Sequence, residues 1–225
     1  MDVSEKKSRG LRTNRCPGCN LPHENCVCGH LIPVPCNIRV CILRHHKEAH
    51  RSSGTAILAL RGLQNSELLD PNTVNEFLQA NSPEGMAMLF PPDGQDQLTN
   101  FPSTAEMFQQ VKILIVPDGT WMQTRKMVRK NPLLKALPRV SPQMLTRWTE
   151  NPLRLDKWER PCTAEAIGQW LGEAGETGAA SHLRHCLQVF VEAHWKARGG
   201  MIRLMRADRF TDDSIDLEDQ NSVTN

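Results

Sequence analysis

The sequence predicts an α/β fold in which helices flank a mainly parallel sheet. Hydrophobic residues make up 39% of the 225 positions, which is enough for one core of domain size. Short apolar runs of strand length alternate along the chain with longer segments that have a helical pattern. Because this alternation favours parallel pairing, we expect the polar residues that follow the strands to share one edge of the sheet.

Three apolar runs predict the central strands. Residues 37–43 place isoleucine and valine alternately on one face. Residues 86–90 form a second run, which ends at a proline-rich turn. The third run, residues 113–116, is continuously apolar, as in a parallel strand that is buried on both faces, and we expect Pro117 to end it.

The segments between and after these runs predict helices. Asp70 with Pro71 is expected to open one helix, and Pro132 to end another. Residues 137–142 and 154–159 predict irregular structure or short strands. The predicted helices are residues 56–60, residues 70–78, about two turns from Ser103, and residues 121–131, 163–171 and 181–198.

Charge is unevenly distributed along the chain, whose net charge is +2. Residues 207–225 carry six acidic side chains and one arginine, which leaves 26 basic and 19 acidic side chains elsewhere, a balance of +7. A basic body suits a polyanionic partner, although such a balance also occurs in many soluble proteins. We divide the chain into a four-cysteine segment (residues 1–35), an α/β domain (residues 36–206) and an acidic tail that we expect to be disordered (residues 207–225).

Four cysteines near the N-terminus have the spacing of a metal site. Cys16 and Cys19 form a C-x2-C pair, and Cys26 and Cys28 form a C-x-C pair; six residues separate the two pairs. Four thiolates can close a tetrahedral zinc site, and the prolines and glycines between them permit the tight turns that such a site needs. A nearby histidine, at position 23 or 30, can replace one cysteine, and four metal-free thiols are the alternative. The other four cysteines are expected to be small buried hydrophobic residues.

The apolar runs are too short for membrane spans, and the charged N-terminus is not followed by the apolar segment of a signal peptide. Clustered cysteines in such a chain are typical of metal sites in reducing compartments. We therefore expect a cytoplasmic protein without a membrane partner, and no obligate protein partner can be inferred.

A polar cluster follows the first predicted strand at the expected active edge of the sheet. Arg44, His45, Lys47 and Arg51 lie in this loop, and their charges suit contacts with the phosphates of RNA. The alternative is a solvated loop in which one of the two serines at positions 52 and 53 caps the next helix.

The helix that follows Trp121 carries a stripe of four cations. Arg125 and Lys126 are each followed four residues later by another cation, Arg129 and Lys130, so all four share the exposed side of the helix. The stripe can guide an RNA backbone toward the sheet edge. The alternative is that these cations complement the helix dipole near the helix C-terminus and remain solvated.

Several motifs occur in an order that resembles the DTW-domain family. Asp118, Gly119, Thr120 and Trp121 match the Asp-x-Thr-Trp signature of this family. The segment HHKEAHRSSGT resembles the family's His-x-x-Glu, Arg and Thr positions, with His46 where the family has proline. The Leu-Phe-Pro run at 89–91 and the segment CTAEA at 162–166 resemble two further family segments. Together with the four cysteines, the resemblance covers about residues 16–190.

The resemblance implies a bacterial tRNA-uridine aminocarboxypropyltransferase. Such an enzyme transfers the 3-amino-3-carboxypropyl group of S-adenosylmethionine to N3 of a uridine in the tRNA variable loop, and methylthioadenosine is the other product. The implied partner is tRNA, and the implied cofactors are S-adenosylmethionine and Zn²⁺. The family is related to SPOUT-like α/β transferases, so the resemblance also implies a knotted chain.

The resemblance further implies roles for individual residues. Asp118 is the implied base for the N3 proton, or the group that orients this proton, and Trp121 either stacks on a base or packs in the fold. Thr163 is expected to cap a helix whose amides hold the carboxylate of the cofactor, while Glu165 faces its ammonium group; the alternative is that both are only capping residues. The implied catalytic residues are Asp118, Thr120 and Trp121, and the implied cofactor contacts are Leu89, Phe90, Pro91, Pro117, Gly119, Thr163, Glu165 and Ala166.

Two other functions compete with this interpretation. A methyltransferase would share the fold and the cofactor but would transfer the methyl group to RNA. A non-catalytic zinc-ribbon protein would bind RNA without S-adenosylmethionine.

Overall fold

The computed structural model describes residues 15–48, 53–91, 110–143 and 161–197, together with Phe108 and Trp148. Its centre is a five-stranded sheet in which every pair of neighbouring strands is parallel, as the sequence predicts. The strands are β1 (Arg39–Arg44), β2 (Ser66–Leu69), β3 (Met86–Leu89), β4 (Ile113–Asp118) and β5 (Arg139–Val140). They lie in the order β2-β1-β4-β3-β5, so the longest strands, β1 and β4, are neighbours inside the sheet.

Helices cover both faces of this sheet. Residues of β1 and β4 alternate between two separate hydrophobic clusters, because successive side chains of a strand point to opposite faces. One cluster contains the helices α1, α5 and α6, and the other contains α2, α3 and α4. The helices are α1 (Ala56–Gly62), α2 (Val74–Ala80), α3 (Trp121–Lys130), α4 (Pro132–Ala136), α5 (Thr163–Glu173) and α6 (Thr177–Ala197).

The four-cysteine segment packs against the α1 and α6 side of the molecule. It contains two single turns of 3₁₀ helix, His23–Asn25 and Cys28–His30. Leu21, Val27 and Leu31 are buried in the same hydrophobic cluster as α1 and α6. The segment therefore shares the core of the α/β body, and the boundary at residue 35 stays a prediction.

Proline positions account for two differences from the sequence prediction. β4 continues through Pro117 to Asp118, because its pairing with β1 extends to the pair Arg44 and Asp118. Its pairing with β3 ends earlier, at Ile115, so a residue without an amide hydrogen is tolerated beyond that point. Pro132 does not only end α3; it opens α4, because Asn131 accepts hydrogen bonds from the next two backbone amides and so caps a new helix.

Two helix starts and one residue before a helix also differ from the prediction. Asp70 accepts a hydrogen bond from the amide of Asn72 in a local turn, and α2 begins only at Val74. Thr55, not a serine, is the residue that precedes α1. The last helix begins at Thr177, four residues before the predicted start.

Some predicted features lie outside the described residues. They include Arg51, the turn after Pro91, the segment 154–159 and the tail 207–225, as well as most of the helix predicted from Ser103. Within the described part of the chain, none of the helices has the length and apolar character needed to cross a bilayer.

Candidate active site and metal centre

Three parallel strands, β3, β4 and β5, end around one cavity of about 740 Å³. The residues after β3, β4 and β5 line it, and the N-terminus of α5 closes it. Ligands bind at this position in open α/β sheets, beyond the carboxyl ends of the strands. The lining residues are Leu89, Phe90, Pro91, Val116, Pro117, Gly119, Thr120, Trp121, Thr124, Val140, Ser141, Pro142, Gln143, Pro161, Cys162, Thr163 and Ala166.

The cavity brings together family-like segments that are far apart in sequence. The Leu-Phe-Pro run, the loop after β4 and the start of α5 all contribute to its wall. Seven of the eight predicted cofactor contacts line the cavity, and Glu165 is the exception. Of the three predicted catalytic residues, Thr120 and Trp121 line it, whereas Asp118 lies behind Thr163.

Asp118 is buried, with 6% of its surface exposed, and other elements hold both of its carboxylate oxygens. Thr163 donates its hydroxyl proton to Oδ1 of Asp118 at 2.9 Å. The guanidinium Nε of Arg44 lies 3.6 Å from Oδ2, and Arg44 and Asp118 are paired across β1 and β4. The carboxylate thus links β4, β1 and α5 at the edge of the cavity. The backbone oxygen of Asp118 also accepts a hydrogen bond from the amide of His45.

Thr120 begins α3 with a complete capping box. Its hydroxyl accepts from the amide of Gln123, and the side chain of Gln123 accepts from the amide of Thr120. Gly119 is enclosed by this turn, because a Cβ there would lie 3.1 Å from Gln123 Oε1 and 3.3 Å from His45 Cβ. The threonine of the motif therefore serves the geometry of the turn as well as lining the cavity.

Trp121 packs within the protein, on the ring of Phe90. The two ring centroids are 5.0 Å apart, and the ring planes differ by 8°. The guanidinium of Arg125 lies 5.9 Å from the Trp121 centroid, and that of Arg139 lies 5.6 Å from the Phe90 centroid. These contacts fix one wall of the cavity, while 37% of the Trp121 surface stays exposed.

The start of α5 differs from its predicted arrangement. Cys162, not Thr163, is the capping residue, and Glu165 completes the capping box by accepting from the Cys162 amide at 2.7 Å. The other oxygen of Glu165 accepts from the amide of Trp148 at 2.9 Å. Glu165 is therefore a buried structural carboxylate, in agreement with the capping alternative, and it does not face the ammonium group of a cofactor in the cavity.

The amides of the first turn of α5 are largely in use as well. The amide of Ala164 donates to the Thr55 hydroxyl, that of Glu165 to the Cys162 sulfur, and that of Ala166 to the Cys162 carbonyl. This leaves little of the helix end for a carboxylate, contrary to what the sequence led us to expect.

The residues predicted to contact RNA fall into two groups. Arg44 turns inward to Asp118 and is mostly buried. His45 is partly buried and Lys47 is exposed, and the Nδ1 atom of His45 accepts from the amide of Lys47. Burial lowers the pKa of His45, and nearby cations, including Lys126, act in the same direction. The imidazole is therefore neutral at pH 7.

The cationic stripe of α3 is exposed as predicted. Arg125, Lys126, Arg129 and Lys130 all have exposed side chains, while Thr124 and Val128 bury the opposite side of the helix. The helix begins at the cavity, so the stripe leads from the cavity rim along the surface.

Sequence reasoning missed the contribution of the segment after β5. Ser141, Pro142 and Gln143 line the cavity, and the carboxylate of Glu173 holds the amide of Gln143 at 2.9 Å. A short strand followed by Ser-Pro was the available signal, because it marks a further strand end at the same edge. Val116, Thr124, Val140, Pro161 and Cys162 were also missed as lining residues.

The four predicted cysteine ligands converge. Their sulfur atoms all lie within 4.8 Å of one another, and the closest pairs are 3.4, 3.6 and 3.8 Å apart. A tetrahedron with metal–sulfur bonds of about 2.3 Å has edges of about 3.8 Å, so the sulfur positions fit a four-coordinate ion such as zinc. His23 and His30 are exposed and lie outside the cluster. The cluster can therefore hold a metal with cysteine ligands alone.

Local backbone geometry prepares this cluster for a cation. Hydrogen bonds from the backbone amides of Cys19 and Gly18 lower the pKa of Cys16 to about 6. Burial, reinforced by the neighbouring thiols, raises the pKa of Cys28. Four thiolates so close together would repel one another. A central dication would offset this repulsion and hold all four sulfurs in the thiolate form.

Comparison with known families agrees with the motifs that the cavity brings together. The family model described as the DTW domain matches residues 13–194, which is most of the chain and includes both the cysteine cluster and the cavity. The protein therefore belongs to the DTW-domain family. No solved structure matches the chain.

Proposed function

We propose that this protein transfers the 3-amino-3-carboxypropyl group of S-adenosylmethionine to N3 of a uridine in the variable loop of tRNA. The observation that carries the proposal is the cavity at the carboxyl edge of the sheet, which joins the Asp-Gly-Thr-Trp loop to the Leu-Phe-Pro run and the start of α5. In the family resemblance, these three segments are the ones that imply cofactor binding.

The cavity suits this cofactor in size and chemistry. At about 740 Å³ it falls within the range of sites that bury a small ligand. Leu89, Phe90, Val116 and Pro117 offer apolar surface for an adenine ring, and Ser141, Gln143 and Thr163 offer polar atoms. S-adenosylmethionine supplies an electrophilic γ-carbon next to a sulfonium leaving group.

The reaction balances without a further reactant. Uridine N3 forms a bond to the γ-carbon, the carbon–sulfur bond breaks, and its electron pair goes to sulfur, which gives neutral methylthioadenosine. The N3 proton passes to water. The protein must present the γ-carbon instead of the methyl group to the uracil, and this is a matter of positioning. The rigid wall formed by Phe90 and Trp121 and the capped turn at Thr120 are suited to that task.

Other parts of the proposal concern the partner and the fold. The stripe Arg125, Lys126, Arg129 and Lys130, with Lys47 in the loop after β1, offers positive charge to a tRNA backbone that approaches the cavity, and the neutral His45 imidazole offers a hydrogen-bonding group there. We propose a structural zinc ion in the cysteine cluster, a SPOUT-like knotted path for the chain and a cytoplasmic location. We also propose the domain limits given above, with residues 36–206 as the catalytic domain.

One experiment tests the reaction, the substrate and the modified position together. The purified protein is incubated with unmodified tRNA and S-adenosylmethionine, and the nucleosides are analysed by mass spectrometry. We expect a uridine that carries an aminocarboxypropyl group, with methylthioadenosine as by-product. Addition of a single methyl group with S-adenosylhomocysteine would instead indicate a methyltransferase. Binding of tRNA without any binding of S-adenosylmethionine would indicate a non-catalytic RNA-binding protein.

A further inference from the structure

Asp118 and Thr163 form a two-residue unit at the edge of the cavity. Asp118 does not line the cavity, whereas Thr163 does, and the 2.9 Å hydrogen bond between them runs from the threonine hydroxyl to the carboxylate. The hydroxyl proton is therefore directed away from the cavity. The Thr163 oxygen still has a lone pair, with which it can accept a hydrogen bond from a ligand in the cavity.

The group directly behind this lone pair is the Asp118 carboxylate, which also pairs with Arg44. The Thr163 hydroxyl, which donates to Asp118, and the Arg44 guanidinium at 3.6 Å both interact favourably with an ionised carboxylate. A hydroxyl that donates to a buried carboxylate becomes a stronger acceptor, because hydrogen bonds in a chain polarise one another. Such an acceptor suits a cationic donor.

Glu165, the other acid at the start of α5, does not line the cavity and is buried within the protein. One of its oxygens accepts from the amide of Cys162 and the other from that of Trp148, and the side chain is 1% exposed. Asp118, acting through Thr163, is thus the carboxylate that can serve a cation in this part of the cavity wall.

We propose that Thr163, backed by Asp118, accepts a hydrogen bond from the α-ammonium group of S-adenosylmethionine and so holds its amino-acid end. This inference rests on the proposed function, because it takes the cavity as the cofactor site. It makes Asp118 a positioning residue that acts through Thr163, instead of the acceptor of the uridine proton.

Calorimetry with two ligands tests this inference without any need for turnover. S-adenosylmethionine carries the ammonium group, and methylthioadenosine shares its adenosine and sulfur but lacks the amino-acid end. Thr163→Val keeps the shape of the side chain and removes the acceptor. We expect it to weaken binding of S-adenosylmethionine about ten- to hundredfold and to leave binding of methylthioadenosine nearly unchanged.

Further variants separate positioning from folding. Thr163→Ser keeps the hydroxyl and should restore most of the affinity. Asp118→Asn keeps an oxygen acceptor for Thr163 but removes the charge, and we expect an intermediate loss that is again confined to S-adenosylmethionine. Thr177→Val is the matched control, because Thr177 is also the first residue of a helix but is exposed and lies outside the cavity wall.

The outcomes distinguish this inference from the proposed function. If wild-type protein does not bind S-adenosylmethionine, the proposed function fails and the inference fails with it. If wild-type protein binds it and Thr163→Val binds equally well, the inference alone is wrong. Equal losses for both ligands in Thr163→Val would also overturn it, because the hydroxyl would then only maintain the shape of the cavity.

Discussion

At the scale of single residues, the polar side chains beside the cavity hold one another, because Thr163 donates to Asp118 and Arg44 pairs with the same carboxylate. Strand ends and motif order led to Asp118, Thr120 and Thr163, and all three lie at or beside the cavity. The inward turn of Arg44 was not predictable, since its partner Asp118 is distant in sequence and meets it only through strand register. Likewise, an acid three residues into a helix fits both capping and ligand binding until its neighbours are known.

Gly18 provides a prediction at this scale, because the cysteine cluster leaves it no room for a side chain. A Cβ at Gly18 would lie 2.6 Å from the sulfur of Cys28, which is too close for the native turn. We expect Gly18→Ala to displace Cys28 and to lower zinc affinity about 10- to 100-fold, as changes around metal ligands commonly do. Competition with a chromophoric chelator measures this affinity.

Gly29→Ala is the control for this prediction. Gly29 follows Cys28 directly, but an added Cβ there meets no heavy atom within 4 Å. Its zinc affinity should equal that of the wild type. A Gly18→Ala protein that retains zinc as firmly as Gly29→Ala would show that the turn does not constrain the cluster.

At the scale of elements, a strong local hydrophobic pattern predicted a strand correctly, whereas a strand with a weak pattern was missed. The long apolar runs became β1, β3 and β4. β2 was missed because it is a four-residue edge strand with an exposed Leu68 and little alternation. It is held to β1 partly by Glu67, whose carboxylate binds Arg39 at 2.7 Å and accepts from the Cys41 thiol at 3.0 Å. These contacts are long-range and leave no local signal in the sequence.

Gly168 in the middle of α5 tests packing at the scale of elements. The ring of Trp148 lies directly on this glycine, and an added Cβ would overlap the ring. Gly168→Ala is therefore expected to destabilise the protein by about 1–3 kcal/mol through overpacking. Thermal unfolding followed by circular dichroism should show a Tm lower by about 2–4 °C for each kcal/mol.

Gly172→Ala in the same helix has the opposite expectation. Its added Cβ would make an ordinary contact of 3.5 Å with Ala180, and alanine favours the helix over glycine by up to about 1 kcal/mol. Its Tm should stay equal or rise. Equal behaviour of the two variants would mean that Trp148 does not pack on α5 as described.

At the scale of the whole molecule, the cysteine cluster and the cationic stripe of α3 lie on opposite sides of the sheet. The cysteine cluster shares a core with α1 and α6, whereas the cationic helix α3 packs on the opposite face. The sequence could indicate a basic body and an ordered set of motifs. It could not indicate which face carries the charge, because that depends on the order of the strands and on the face to which each crossover returns.

This separation gives a prediction for tRNA binding. Arg129 and Lys130 are exposed at the end of α3 away from the cavity, so their loss should not alter the cavity wall. Each cation that contacts a phosphate contributes close to one unit to the slope of log affinity against log salt concentration. We expect the double variant Arg129→Gln with Lys130→Gln to weaken binding of unmodified tRNA and to reduce this slope by about 1–2, as measured by fluorescence anisotropy over a salt series.

The matched control removes the same charge from the other face. Arg184 and Lys196 are exposed on α6, and their double glutamine variant has the same net charge as the α3 variant. If tRNA contacts the α3 face, this control should keep the wild-type slope, because a change in net charge alone would affect both proteins equally. Equal slopes for the two variants would show that the α3 cations contact solvent and not tRNA. The proposed path of the RNA along this helix would then be wrong.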